Sequence, residues 1–458
     1  MPQPILDHLD ATQNAALDRL FALLRIESIS TDPAYKSACK QAADWLVDDL
    51  QSIGFEASRR DTTGHPMVVA HFSGPGPHIL FYGHYDVQPV DPLDLWDNPP
   101  FTPTLEETTA GTVIRARGAS DDKGQLMTFL EALRAFKAVN GTLPCAITIL
   151  LEGEEESGSP SLIPFLKDNA DELRADYALV CDTGMWDAQT PAITTMLRGM
   201  VAEDFTIHAA SRDLHSGMYG GPAINPNRVL AKLLAGLHDD TGRITLEGFY
   251  DGVEPVSNAI KAQWESLDFK AENFLGEVGL SHPAGEQAFT ALEQIWARPS
   301  CDINGMWGGY NGAGFKTVLP AEASAKVSFR LVGAQDHDAI QTTFRKYLED
   351  GLPPDCTITY RAKDGAGATN MPVDAPYFTA ARQALSDEWP KEAVFIGCGG
   401  SIPIVGHFQE YLGMNSMLIG FGLEDDQIHS PNEKYSLTSF QKGARSWVRV
   451  LAALSKQG

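Results

Sequence analysis

A chain of 458 residues exceeds the size at which a single core usually stops growing, so two domains are expected. Its apolar fraction of 43% and charged fraction of 21% are those of an ordinary globular protein. A formal net charge of −25 excludes the basic surface that nucleic acid or an anionic membrane would need as a partner.

The opening segment, MPQPILDHLDATQN, has neither a basic n-region nor an apolar h-region, so no signal peptide is expected. No apolar stretch approaches the roughly 20 residues that span a bilayer, and the expected location is cytoplasmic. The six cysteines (39, 145, 181, 301, 356 and 398) form no C-x-x-C pair and read as reduced thiols.

Residues 14–27 and 38–53 place Leu, Phe and Ile at helical spacing, the second segment stopping at Gly54. From about residue 67 to 182, the β-like runs MVVAHF, HILFYG, TVIRAR, AITILL and YALVC alternate with the helical QLMTFLEALRAFKAV and SLIPFLKDN. This texture predicts an α/β domain with a mixed, largely parallel sheet flanked by helices. It changes near residue 197. GMVAEDFTIHAA and ASAKVSFRLVG read as strands, each followed by a helix, and CTITYRA as a closing strand, with an irregular insertion over 241–310. KDGAGATNMPVDAP resembles a linker, after which the first texture returns. The expected organisation is one domain (1–196 and 369–458) interrupted by a small inserted α/β sandwich (197–368).

Five residues carry the chemistry: His84, Asp121, Glu156, Asp182 and His429, each just after a short run that reads as a strand. Open α/β sheets bind ligands outside the carboxyl ends of their strands, so such residues converge on one crevice. Two histidines and three carboxylates suffice for two divalent metals, which makes a dinuclear hydrolase the leading reading. His84 and Asp86 are two apart and point to one side of an extended chain, so the carboxylate can take the second ring N–H. Gly83 lets backbone approach closely there. Asp121-Asp122 precedes a helix start, where a bridging carboxylate is compatible with a cap. Glu154, Glu155 and Glu156 follow a buried run, an expensive place for like charges unless cations compensate. Neither G-x-S-x-G nor H-E-x-x-H occurs, and GPGPHI and GAGATN lack the third glycine of a dinucleotide fingerprint.

The blocks GHYDVQP, GASDDKG, EGEEESGS, a strand ending in CD, DLHSGMYGG, KTVLPAEASAKVSFRLV, GGSIP and IHSPNEK run in order from about residue 80 to 435. They resemble the motifs of carnosinase-type dipeptidases. These belong to the dinuclear zinc metallopeptidase superfamily of aminoacylases, glutamate carboxypeptidases and succinyl-diaminopimelate desuccinylases. The resemblance implies metal ligation by His84, a bridging Asp121, Asp182, Glu156 and His429, with Glu155 as general base and Asp86 orienting His84. It also implies a cis peptide between Asp121 and Asp122. The inserted domain becomes a lid and dimerisation domain on a catalytic one. Its His215 would reach the partner subunit's active site and stabilise an oxyanion. Arg330 would hold the substrate carboxylate, and Thr317, Gly400 and Ser401 would add substrate contacts.

The implied reaction is cleavage of dipeptides or short peptides by a metal-bridging hydroxide, with Glu155 as base. Two divalent ions per subunit are expected, zinc ahead of manganese or cobalt, in a homodimer with no nucleic-acid or membrane partner. Asp182 stands where N-acyl hydrolases of this superfamily carry glutamate, which favours a dipeptidase over the alternative, an N-acyl-amino-acid amidohydrolase.

Overall fold

The computed structural model describes residues 2–362, 365–400 and 402–457. The chain divides into two compact units, one of residues 1–195, 371–396 and 407–458, the other of residues 196–370 and 397–406. Residues 397–406 therefore cluster with the second unit.

In chain order the first part lays down β1 (Glu56–Arg60), β2 (Met67–Phe72), β3 (His78–His84), β4 (Thr104–Thr108), β5 (Gly111–Arg115), β6 (Ala146–Glu152), β7 (Tyr177–Val180) and β8 (Ala192–Leu197). Next come β9 (Gly199–His208), β10 (Leu214–His215), β11 (Ser300–Gly308), β12 (Val318–Leu319), β13 (Glu322–Leu331) and β14 (Thr357–Ala362). The last are β15 (Thr369–Asn370), β16 (Val394–Cys398), β17 (Ser416–Leu418) and β18 (Lys434–Ser436).

The main sheet of the first unit runs β1-β2-β6-β3-β7-β17-β8. Its centre, β6-β3-β7-β17, is parallel, while β1 and β2 are antiparallel at one side. The central strands are buried almost throughout, as parallel strands covered on both faces must be. Helices Lys123–Asn140 and Leu437–Leu454 cover the sheet. Phe81 of β3 stacks on Phe129 at 3.7 Å between ring centroids, and Trp447 meets both edge-on. Helix Lys36–Ile53 stops at Gly54, whose φ of +100° is the left-handed stop that glycine permits.

The run TVIRAR departs from the expectation. Its strand, β5, is not in the main sheet but pairs antiparallel with β4 and β18 in a separate three-stranded sheet. Pairing partners are a long-range property, and an isolated apolar run does not encode them.

The second unit carries a four-stranded antiparallel sheet, β11-β13-β9-β14. Helices Pro226–Ala235 and His337–Asp350 pack on it through Leu230, Leu234, Phe344 and Leu348 against Phe205, Ile207, Val327 and Phe329. Glu203, a buried carboxylate of β9, meets Arg345 Nη2 through its Oε1 at 2.7 Å. The insertion 241–310 is more regular than expected. It holds helices Asn258–Ser266, Ala271–Gly276 and Ala291–Trp296 and supplies β11. Most of β11 is exposed, with Ile303, Met306 and Trp307 uncovered, so it lacks the alternation that marks a half-buried strand.

Candidate metal centre

Three ligands come from the carboxyl side of the main sheet. His84 is the last residue of β3, Asp182 follows β7 by two positions, and Glu156 lies on the 3-10 turn Glu155–Ser157 beyond β6. These strands are parallel neighbours, so their ends open on the same side. Asp121 and His429 arrive otherwise. Asp121 lies in the loop between β5 and helix Lys123–Asn140, and His429 in the loop before β18, neither directly after a strand of the main sheet.

All five nonetheless meet. His84 Nε2 is 3.0 Å from Asp121 Oδ1 and 3.9 Å from Asp182 Oδ2. His429 Nε2 is 2.9 Å from Asp121 Oδ2 and 3.3 Å from Glu156 Oε2. Candidate ligand atoms of His84, Asp121 and Asp182 lie within 4.8 Å of one another, as do those of Asp121, Glu156 and His429. Asp121 is common to both triplets and turns one oxygen to each histidine.

The electrostatics show what this cluster demands. Burial opposes charge on His84, yet its bonds to Asp121 and Asp86 raise its pKa well above the ordinary imidazole value. His429 is pushed up to about 10 by Asp121 and Glu156. Burial, then the charge of Asp121, raises Asp182 well above the carboxylate range. Burial would also raise Asp121, but the two histidines bonded to it hold it low. Protonated imidazoles thus carry the positive charge that converging carboxylates require, and a divalent cation supplies the same charge without a proton. Imidazole nitrogen with carboxylate oxygen suits zinc, manganese or cobalt, so the residues fit two divalent ions.

The supporting contacts are local. Asp86 is fully buried; its backbone carbonyl lies 3.1 Å from His84 Nδ1 and its carboxylate 3.4 Å. The carboxylate also accepts the backbone N–H of Glu155 at 3.2 Å and of Glu156 at 3.1 Å. The peptide between Asp121 and Asp122 is cis, as the resemblance implies. Asp122 accepts the backbone N–H of His84 at 3.1 Å, and burial pushes its carboxyl up to about 7. A Cβ on Gly83 would lie 2.9 Å from Asp122 Oδ2, so glycine is what admits this carboxylate to the strand end.

The three adjacent glutamates divide. Glu154 accepts the backbone N–H of His65 at 2.8 Å and of Ser161 at 3.0 Å. Glu156 faces His429 and accepts from Gln88 Nε2 at 2.7 Å. Glu155 is half-buried, and burial, then Glu156, Asp121 and Asp86, outweighs the attraction of His84 and raises its pKa. Sequence reading missed Gln88, Asp426 and Glu433 as neighbours of the site. Gln88 is four residues past His84 and Glu433 four past His429, inside motifs already singled out, so proximity was the available signal.

The remaining candidates lie in the second unit. His215 ends β10 opposite Val318 and is exposed, its Nδ1 accepting the Gly217 N–H at 3.0 Å. The Thr317 carbonyl accepts the Ser216 N–H at 3.1 Å, which places Thr317 beside His215. Arg330 is half-buried on β13, opposite Met200 and Ser300. It shares this region with the buried Arg198, whose pKa burial and then Arg330 lower to about 10. The Gly400 carbonyl accepts the Arg198 N–H at 3.0 Å. Ser401 lies outside the described residues.

A dinuclear-type carboxylate–histidine cluster beside a half-buried glutamate, on this α/β scaffold, defines a metallohydrolase-like centre. Peptidase family M20/M25/M40 matches residues 80–453, and the chain belongs to that family. It is similar to the Cys-Gly metallodipeptidase DUG1 of Candida albicans, 29% identical over 97% of this chain and 95% of the relative. Among solved structures, human carnosine dipeptidase 1 is 27% identical, with a TM-score of 0.76 over 99% of this chain and 98% of that one. The M20 family metallo-carboxypeptidase Sso-CP2 from Sulfolobus solfataricus is 28% identical, with a TM-score of 0.78 over 96% of this chain and 99% of that one. Among the described residues no helix is long and apolar enough to cross a membrane.

Proposed function

We propose that this protein is a dinuclear metal-dependent dipeptidase. The observation that carries the proposal is the sharing of Asp121 between two ligand triplets, with Glu155 beside them. His84, Asp121 and Asp182 would hold one ion, and Asp121, Glu156 and His429 the other. When bound, such ions supply Lewis acidity toward the scissile carbonyl and acidify water. Zinc is the ion we propose, with manganese and cobalt as substitutes of the same ligand preference.

The chain's own residues supply the rest. Glu154 is occupied by backbone N–H groups and Glu156 by His429 and Gln88, which leaves the Glu155 carboxylate for proton transfer. Its raised pKa suits a base that takes a proton from the attacking water and gives it to the leaving amine nitrogen. Asp86 holds the His84 ring and the turn bearing Glu155 in one grip. Arg330, whose charge helps to lower the Arg198 pKa, is suited to a substrate carboxylate, which would relieve that repulsion. We assign substrate contacts to His215, Thr317, Gly400 and Ser401, with His215 as an oxyanion donor.

We further propose a catalytic domain of residues 1–196 and 369–458, a lid and dimerisation domain of residues 197–368, and a cytoplasmic homodimer. The uncovered Ile303, Met306 and Trp307 on the edge strand β11 support dimerisation, since exposed apolar edges are templates for pairing. The dipeptidase relatives support free dipeptides as substrates rather than N-acyl amino acids. The test loads the protein with zinc or manganese and measures products from dipeptides, including Cys-Gly and β-Ala-His, against N-acetyl and N-succinyl amino acids. Cleavage confined to free dipeptides is expected. Cleavage confined to the N-acyl compounds would move the protein to the amidohydrolases.

A further inference from the structure

His429 is the candidate ligand with the least intrinsic support. Its side chain is 55% exposed, and its backbone sits at φ +62°, a conformation that non-glycine residues rarely adopt. Gln427 and Asn432 flank it with φ of +57° and +64°. Such a loop holds its shape only when its surroundings over-determine it.

Two buried carboxylates do so, and both grip the segment that carries Asp121. Glu433, four residues after His429, is fully buried. Its Oε1 accepts the backbone N–H of Ser120 at 2.9 Å and of Asp121 at 3.0 Å. Its Oε2 accepts the Gly118 N–H at 2.9 Å and Arg117 Nη1 at 2.8 Å. Asp426, three residues before His429, is also fully buried and accepts the Ser120 hydroxyl at 2.7 Å and the Leu423 N–H at 2.8 Å. Lys434 Nζ completes it at 3.1 Å. The His429 loop is therefore fastened on both sides of the histidine, and Ser120, the residue before Asp121, takes part in both fastenings.

We infer that Glu433 and Asp426 are positioning residues that set His429 against Asp121, and so govern the Asp121–Glu156–His429 site more than the other. They touch neither the Asp182 side of the cluster nor the His84 ring. His84 is fixed instead by β3, Asp86 and Asp122. Loosening the fastenings releases His429 from the Asp121–Glu156–His429 site, while the His84–Asp121–Asp182 site, which shares Asp121 but keeps its contact to His84, is disturbed less. Groups that orient ligands from behind typically change metal affinity by about 10–100-fold.

This inference rests on the dinuclear reading, and the experiment separates the two. Metal-free wild type, Ser120→Ala and Glu433→Gln are titrated with zinc chloride by calorimetry, with metal content measured after dialysis and folding followed by circular dichroism. Ser120→Ala deletes only the hydroxyl bond to Asp426, so it tests the inference even if Glu433→Gln fails to fold. The expected result is a wild type taking two ions. In Ser120→Ala one site should stay within about twofold and the other fall by about tenfold or more. Restoring a hydroxyl with Ser120→Thr should recover much of that loss. Equal weakening of both sites, or no weakening in Ser120→Ala, overturns the positioning role. A wild type that takes fewer than two ions overturns the dinuclear reading itself.

Discussion

The Asp86 carboxylate accepts the backbone N–H of Glu155 at 3.2 Å, and its other oxygen accepts that of Glu156. The residue expected only to steady His84 therefore also holds the turn that presents the proposed base. Ligand geometry and base geometry share one buried anchor.

Asp86→Ala should consequently damage two functions at once. Zinc affinity should fall by about 10–100-fold, as for other losses of a ligand-orienting partner. Dipeptide turnover at saturating metal should stay depressed as well, because the turn is also loosened. A variant whose turnover is fully restored by excess metal would show that Asp86 acts through His84 alone.

Glu155→Gln removes the proton acceptor and keeps the side chain's size. Loss of turnover by at least about 100-fold is expected, the usual contribution of a general base. Bound zinc should remain near the wild-type amount. Simultaneous loss of metal would place Glu155 among the ligands instead.

Metal affinity should rise with pH. In the metal-free protein His84 lies well above its ordinary pKa and His429 is pushed up to about 10, so both carry protons at neutral pH. A coordinated imidazole has lost the proton from its binding nitrogen, so binding releases protons and acid competes with metal. Each proton released steepens apparent affinity by about tenfold per pH unit below the relevant pKa. Calorimetry in buffers of different ionisation enthalpy counts the protons; uptake of protons on binding would contradict the assignment.

Gly83→Ala should be costly although it adds one carbon. The new Cβ would sit 2.9 Å from Asp122 Oδ2 and 3.2 Å from Cys181 Sγ, both in a fully buried region. Overpacking of this kind typically costs about 1–3 kcal/mol. Urea unfolding should show that loss, with weaker zinc binding from the displaced His84–Asp122 contact.

Trp307→Glu on β11 tests the proposed homodimer. A buried carboxylate at an apolar contact is strongly disfavoured, so light scattering should show half the wild-type mass in solution. An unchanged dimer would place the interface elsewhere.

Much of the centre was readable along the chain because it is locally encoded. Apolar runs that end in His84 or precede Asp182 and Glu156 announce buried parallel strands, and polar residues at their carboxyl ends can serve only a crevice or a surface. The two aspartates before helix Lys123–Asn140 were visible for the same reason, as a helix start. What only the tertiary structure decided was how Asp121 and His429 join them. Their loops have no periodicity, and β5 and β18 pair outside the main sheet. The bond that unites them, from the Asp121 N–H to Glu433, spans 312 positions. Strand and helix signals report only near neighbours, so a hydrogen bond between irregular segments that distant leaves no local pattern. The same reason hid β11, whose exposed edge position weakens alternation. Residue chemistry and spacing therefore determined which groups could bind metal, and long-range packing of buried carboxylates determined that they meet.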